Sequence, residues 1–81
     1  MSQQAIDPCI RAALDAYLRD LGDIEPKDLH AMFLAAMERP LLDAVMQRVD
    51  GNQSRAAQWL GIHRNTLRRK LVELGLEPPR G

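Results

Sequence analysis

Gly51-Asn52-Gln53-Ser54-Arg55-Ala56-Ala57-Gln58-Trp59-Leu60-Gly61-Ile62-His63-Arg64-Asn65-Thr66-Leu67-Arg68-Arg69-Lys70-Leu71 decides how this chain folds. Asn52 is a strong N-cap residue, since its side-chain oxygen can accept a backbone N–H that the first helical turn leaves unpaired. It predicts a short helix over about Gln53–Leu60. Gly61 supplies a tight corner, and a second helix follows over about Arg64–Leu74, ended by Gly75. Ala56 and Ala57 are small enough for the second helix to cross the first closely. Leu60 and Ile62 plug the corner. Leu67, Leu71 and Leu74 recur at helical spacing and form the buried face of the second helix.

Left outside on that helix are Arg64, Asn65, Thr66, Arg68, Arg69 and Lys70. Two short helices, a glycine corner and a basic second helix form the pattern of a DNA-binding helix-turn-helix, in which the second helix enters the major groove. Arg64 and Arg68 are one turn apart on one face. An arginine can bond O6 and N7 of guanine together, the commonest specific base contact. Asn65 and Thr66 sit near the helix start, within reach of bases or phosphates. Arg55, Arg69 and Lys70 are placed for flanking phosphates. Asn52, Ser54 and the N-terminus of the first short helix can hold a phosphate as well. His63 is expected in the turn or as an N-cap that touches phosphate, and Trp59 as a packing residue.

Upstream, periodicity predicts two longer helices and no strand. The first runs over about Pro8–Leu21, with Asp7 as N-cap and Pro8 at the first helical position. Ile10, Leu14, Tyr17, Leu18 and Leu21 share one face, and Gly22 closes the helix. The second runs over about Pro26–Val49, with a stripe of Leu29, Met32, Phe33, Ala36, Met37, Leu41, Ala44, Val45 and Val49. Such a helix would be about 35 Å long, more than one small subunit needs. Pro40 in its middle predicts a kink or a break. The simplest partner for the stripe is a second copy, giving a four-helix core from two helix pairs. Leu14, Leu18, Leu29, Met32, Phe33, Met37, Leu41 and Val45 are the candidate dimerisation residues. The reading is one all-α domain over residues 1–81, with dimerisation helices over 8–49 and the helix-turn-helix over 51–76; residues 77–81 look like a frayed tail.

Composition narrows the rest. At 81 residues the chain buries a modest core, and domains this small usually need disulfides, a metal or a partner chain. Cys9 is the only cysteine, so disulfides are excluded. His30 and His63 are the only histidines and form no zinc-type pair. Oligomerisation is the support that remains. No apolar run would span a membrane, and no secretory signal opens the chain, so a cytoplasmic protein is expected. Net charge is zero, but residues 1–50 hold five basic against nine acidic residues, and residues 51–81 six against two. An acidic body with a basic end is the electrostatic footprint of nucleic-acid binding. No nucleophile sits beside a base and no phosphate loop exists, so neither catalysis nor a cofactor is expected.

Pro40-Leu41-Leu42-Asp43, Gly51 to Ala57, Leu60-Gly61-Ile62 and Arg64 to Leu71 together resemble the Fis family of bacterial nucleoid-associated proteins. The likeness is dense from about Pro40 to Leu76 and looser back to Pro8. It implies a homodimer with intertwined first and second helices, located in the nucleoid. It also implies recognition helices closer together than successive major grooves, hence bent DNA. The sites would be degenerate, with terminal G and C around an A/T-rich centre read through groove width. On this resemblance Arg64 reads guanine, and Asn52, Ser54, Thr66, Arg68, Arg69 and Lys70 contact DNA. His63 stands where the family often has Asn. RNA polymerase is a further candidate partner. Seven residues before Pro8 leave no room for the N-terminal hairpin arm of some Fis proteins, so no stimulation of DNA invertases is expected.

Two other readings compete. Gly61-Ile62, with Arg64-Asn65-Thr66-Leu67, resembles equally well the C-terminal DNA-binding domain of nitrogen-regulator-type enhancer-binding activators. Against it, the chain starts at Met1 and carries no ATPase. A helical dimer that binds a protein partner is the third, and it requires Arg64 and Arg68 to be dispensable.

Overall fold

The computed structural model describes residues 5–76, and it is all-α. Four helices follow in order: α1 (Ile6–Leu21), α2 (Leu29–Arg48), α3 (Gln53–Leu60) and α4 (Arg64–Glu73). No strand occurs among the described residues. The expected tail at 77–81 lies outside them.

Helix starts and stops follow local chemistry, with two corrections. Helix α1 begins two residues before Pro8, at Ile6, with Ala5 at the cap position and no side-chain cap. Asp7 is therefore not the N-cap. It lies in the first turn, where a carboxylate is favoured by the helix dipole, and it pairs with Arg11 one turn on. Helix α2 begins at Leu29 rather than Pro26. Asp28 takes a left-handed conformation, φ 52°, and a left-handed residue cannot continue a right-handed helix. The backbone before it stays outside the helix, although Pro26 favours a helical first turn. Pro40 does not break α2, which runs through it as one element.

At its other end α2 closes by a Schellman motif. The Gly51 N–H donates to the Met46 carbonyl at 2.9 Å, and the Asp50 N–H to the Gln47 carbonyl at 3.3 Å. Asp50 holds the left-handed position, φ 54°, where glycine is the usual occupant. Helix α4 closes the same way, with Leu76 N–H on Leu71 O at 2.8 Å and Gly75 N–H on Val72 O at 3.1 Å.

The core sits at the helix-turn-helix end. Leu42, Met46 and Val49 of α2 and its C-terminus pack with Ala56 and Ala57 of α3 and with Leu67 and Leu71 of α4. Leu42, Ala56, Leu67 and Leu71 have at most 2% of their surface exposed. Val45, Leu60, Ile62, Leu74 and Leu76 close the edges. The single stripe expected along α2 is incomplete, because Leu42 and Met46 lay outside it. The helix carries two apolar faces, one against α3 and α4 and a neighbouring one that the chain leaves uncovered. Helix α1 buries no residue. It meets α2 through an edge-on contact of Tyr17 with Phe33, centroids 6.2 Å apart. Leu34, Met37 and Leu41 on α2, and Ile6, Ile10 and Leu18 on α1, are exposed. The radius of gyration is 15.2 Å, against about 12 Å for a compact domain of this length. The surface is 6660 Å², against about 4,900 Å² for a folded monomer of this mass.

Two substitutions test this description by urea unfolding. Leu67→Ala should cost about 2–5 kcal/mol, as for a buried leucine whose site cannot collapse. Asp50→Gly should instead add about 0.5–1 kcal/mol, by relieving the left-handed residue at the α2 terminus. A loss of stability in Asp50→Gly would mean that the aspartate holds the turn in another way.

Candidate nucleic-acid interface

The interface is built on two caps and a corner. Asn52 Oδ1 accepts the Arg55 backbone N–H at 3.1 Å, so Asn52 starts α3 as a true N-cap. His63 does the same for α4, its Nδ1 accepting the Asn65 N–H at 3.1 Å. With Nδ1 used as an acceptor, the neutral ring carries its proton on Nε2, which is left as a donor. Between the caps Gly61 lies at φ 72°, and the Ile62 N–H bonds back to the Ala57 carbonyl at 3.1 Å. A side chain at Gly61 would meet no neighbour, so only its backbone conformation calls for glycine.

From this frame α4 presents a basic face. Arg64, Asn65, Arg68 and Arg69 are exposed, and Thr66 is half-buried on one flank. Among the described residues, no acid pairs with Arg64, Arg68 or Arg69. Leu67 and Leu71, on the neighbouring side of the helix, anchor it at 0% exposure. The face is therefore held rigidly and its guanidiniums are uncommitted.

Around it the other expected contacts divide. Ser54 and Arg55 are exposed on α3. The Arg55 guanidinium lies 5.8 Å from the centroid of the Trp59 ring, a cation–π arrangement. Trp59 is 54% exposed. It is not the packing residue its type suggested, because Ala56, Ala57 and Leu60 take the inward positions of α3. Lys70 has a partner that no local pattern signals. Its ammonium lies 2.8 Å from Glu38 Oε2 of α2, and both side chains are about one-third exposed. It sits on the flank of α4 that turns toward α2, away from the arginines.

Sequence reading missed what α2 does for α4. Arg39 donates from its guanidinium to the carbonyl of Leu74, the residue that caps α4. A cation at a helix C-terminus meets both unpaired carbonyls and the negative end of the dipole. This contact joins residues 35 positions apart, and no local pattern signals it. The candidate dimerisation residues do not gather in the core. Leu14, Leu29, Met32, Phe33 and Val45 are half-buried, and Leu18, Met37 and Leu41 are exposed.

Among the described residues there is no cluster of His, Cys, Asp and Glu that could hold a metal. No helix of the described residues is long and apolar enough to cross a membrane. Cys9 is exposed and unbonded. The His63 cap has a direct test in thermal or urea unfolding. His63→Ala should cost about 1 kcal/mol, the usual loss of an N-cap, and His63→Asn should restore it. Equal stability of all three proteins would show that the imidazole does not cap α4.

Comparison with known proteins agrees with this geometry. A family model described as bacterial regulatory protein, Fis family, matches residues 33–74, which include most of α2 and all of α3 and α4. A Fis-like DNA-binding protein of Ralstonia nicotianae is 53% identical over 76 residues, 94% of this chain and 99% of that one. A Fis-like DNA-binding protein of Neisseria meningitidis is 48% identical over 71 residues, 88% of this chain and 90% of the relative. The DNA-binding protein Fis of Photobacterium profundum is 43% identical over 76 residues, covering 94% of this chain and 78% of its own length. With a matching family model and relatives aligned along nearly its whole length, this chain belongs to the Fis family of bacterial regulatory proteins.

Proposed function

We propose that the protein binds double-stranded DNA as a homodimer, bends it, and acts as a nucleoid-associated transcription regulator in the cytoplasm. The observation that carries this reading is the face of α4. Arg64, Arg68 and Arg69 stand exposed and unpaired among the described residues, on a helix capped at its start and anchored by two fully buried leucines. Positioned arginines that lack acidic partners are what base edges and phosphates require. Arg64, at the helix start, is the base reader. Arg68, Arg69 and Arg55, with Asn52, Ser54, Asn65 and Thr66, hold the backbone around it, and His63 offers its Nε2–H to a phosphate.

The homodimer answers the uncovered apolar face. A chain with 6660 Å² of surface and an α1 that buries nothing lacks the core a monomer of this size needs. A second copy laid along α1 and α2 would cover Ile10, Leu18, Leu34, Met37 and Leu41 together. Names of the relatives, which include DNA-binding protein Fis, support the DNA-binding part of the reading. Two α4 helices carried by one rigid core would meet DNA at a fixed separation, and DNA would bend where that separation differs from its groove spacing. The chemistry is binding alone, with no catalytic step.

A gel-shift titration tests the reading on a duplex with G and C ends around an A/T-rich centre, in excess random DNA. A single retarded complex is expected. Arg64→Ala should weaken it by about 1–3 kcal/mol and relax selectivity at the terminal G; equal losses on specific and random duplexes would remove Arg64 as a base reader. In sedimentation, the wild type should run as a dimer and Met37→Glu should dissociate it, because a charge would be buried without a partner. A monomeric wild type at micromolar concentration would refute the homodimer.

A further inference from the structure

One ion pair has no place in the DNA binding proposed above. Lys70 lies on the DNA-binding helix, yet its ammonium is 2.8 Å from a carboxylate oxygen of Glu38 on α2. The side chains are 29% and 34% exposed, so the pair is screened less than a fully exposed one. The other two ion pairs of the described residues link neighbours one turn apart within α1. Glu38–Lys70 alone joins different elements. Arg39, the next residue of α2, binds the carbonyl that ends α4 and so fixes the last turn beside Glu38. Leu71, next to Lys70, is fully buried, which keeps this stretch of α4 from rotating. Lys70 is thus delivered to Glu38 by the packing of the whole helix.

A lysine ammonium satisfied by a carboxylate cannot also neutralise a phosphate at full strength. We infer that Glu38 withholds Lys70 from the DNA backbone, and so sets how many phosphates each subunit engages. Glu38 touches no DNA in this arrangement. It is a positioning residue that acts through Lys70, and it lowers the sequence-independent part of the affinity. Arg64, on a different flank of α4, is left unaffected. The inference rests on the proposed DNA binding.

Salt dependence reads this directly, since log affinity falls with log salt by about 0.9 for each phosphate neutralised. Gel-shift affinities of the full chain would be measured from 50 to 200 mM salt, on one specific and one random duplex. Glu38→Gln keeps size and helix propensity and removes the charge. Its slope should steepen by about 0.9 for each subunit, so that raising salt costs it about threefold more affinity per freed lysine than the wild type. The change should be equal on both duplexes. Adding Lys70→Gln to Glu38→Gln should return the slope to the wild-type value, a reversal that a merely structural role for Glu38 would not give. Circular dichroism melts of both variants confirm folding. A folded Glu38→Gln with the wild-type slope, or a steeper slope that persists in the double variant, would overturn the inference while leaving DNA binding intact. Failure of the wild type to bind either duplex would overturn both.

Discussion

Everything in this molecule depends on the packing of Leu42, Met46 and Val49 against Ala56, Ala57, Leu67 and Leu71. It is the one dry core of the described residues, and it welds α2 to both helices of the helix-turn-helix. Because the alanines are buried at 0% and 6% exposure, α3 and α4 can approach until no room is left between them. The leucines of α4 then have one way to face, and the rest of that helix surface is fixed outward. Position of the basic face follows first from apolar contact, to which Arg39 and Glu38 add polar ties at the end of α4. Interiors packed at this density tolerate little adjustment, so the face is presented rigidly.

The same helix that completes this core leaves a second problem. Helix α2 is apolar on two neighbouring faces, and one chain covers only the first. Hydrophobic surface left open along α1 and α2 is the strongest physical argument for the proposed homodimer, since large contiguous apolar patches on soluble chains mark interfaces. In that arrangement α2 would be both subunit contact and lever. One face would meet the second copy and the other the DNA-binding helices, so the spacing of two α4 helices would be transmitted through a single rigid element. Glu38 and Arg39 act on that lever from the side, tying the last turn of α4 to the middle of α2.

Charge is distributed to match. The basic residues of α3 and α4 are not simply a solvated surface. Arg64, Arg68 and Arg69 meet no acid among the described residues, whereas Lys70 meets Glu38 and Arg55 meets an aromatic ring. Sequence counts six basic residues in the C-terminal part as equivalent. In the structure the five that are described fall into committed and uncommitted groups, and the proposed base reading draws on the second.

What the sequence by itself determined was whatever depends on neighbours along the chain. Asn52, His63, Gly61 and Gly75 set the limits of α3 and α4 within a residue or so, because caps and left-handed terminators act through bonds spanning two to five positions. The buried face of α4 and the basic surface beside it followed from periodicity. Family membership was legible in the same stretch. That Asp7 pairs with Arg11 one turn on, and that Asp28 turns left-handed and delays α2, are local features the cap pattern did not signal. Only tertiary structure decided the rest: that Leu42 and Met46 would belong to the core, that Trp59 would stay exposed, and that Lys70 would face Glu38. The reason is common to the last three. A helix with apolar residues on more than one side has no preferred inward face until a partner helix arrives, and a lysine at its edge has no partner until that packing brings one.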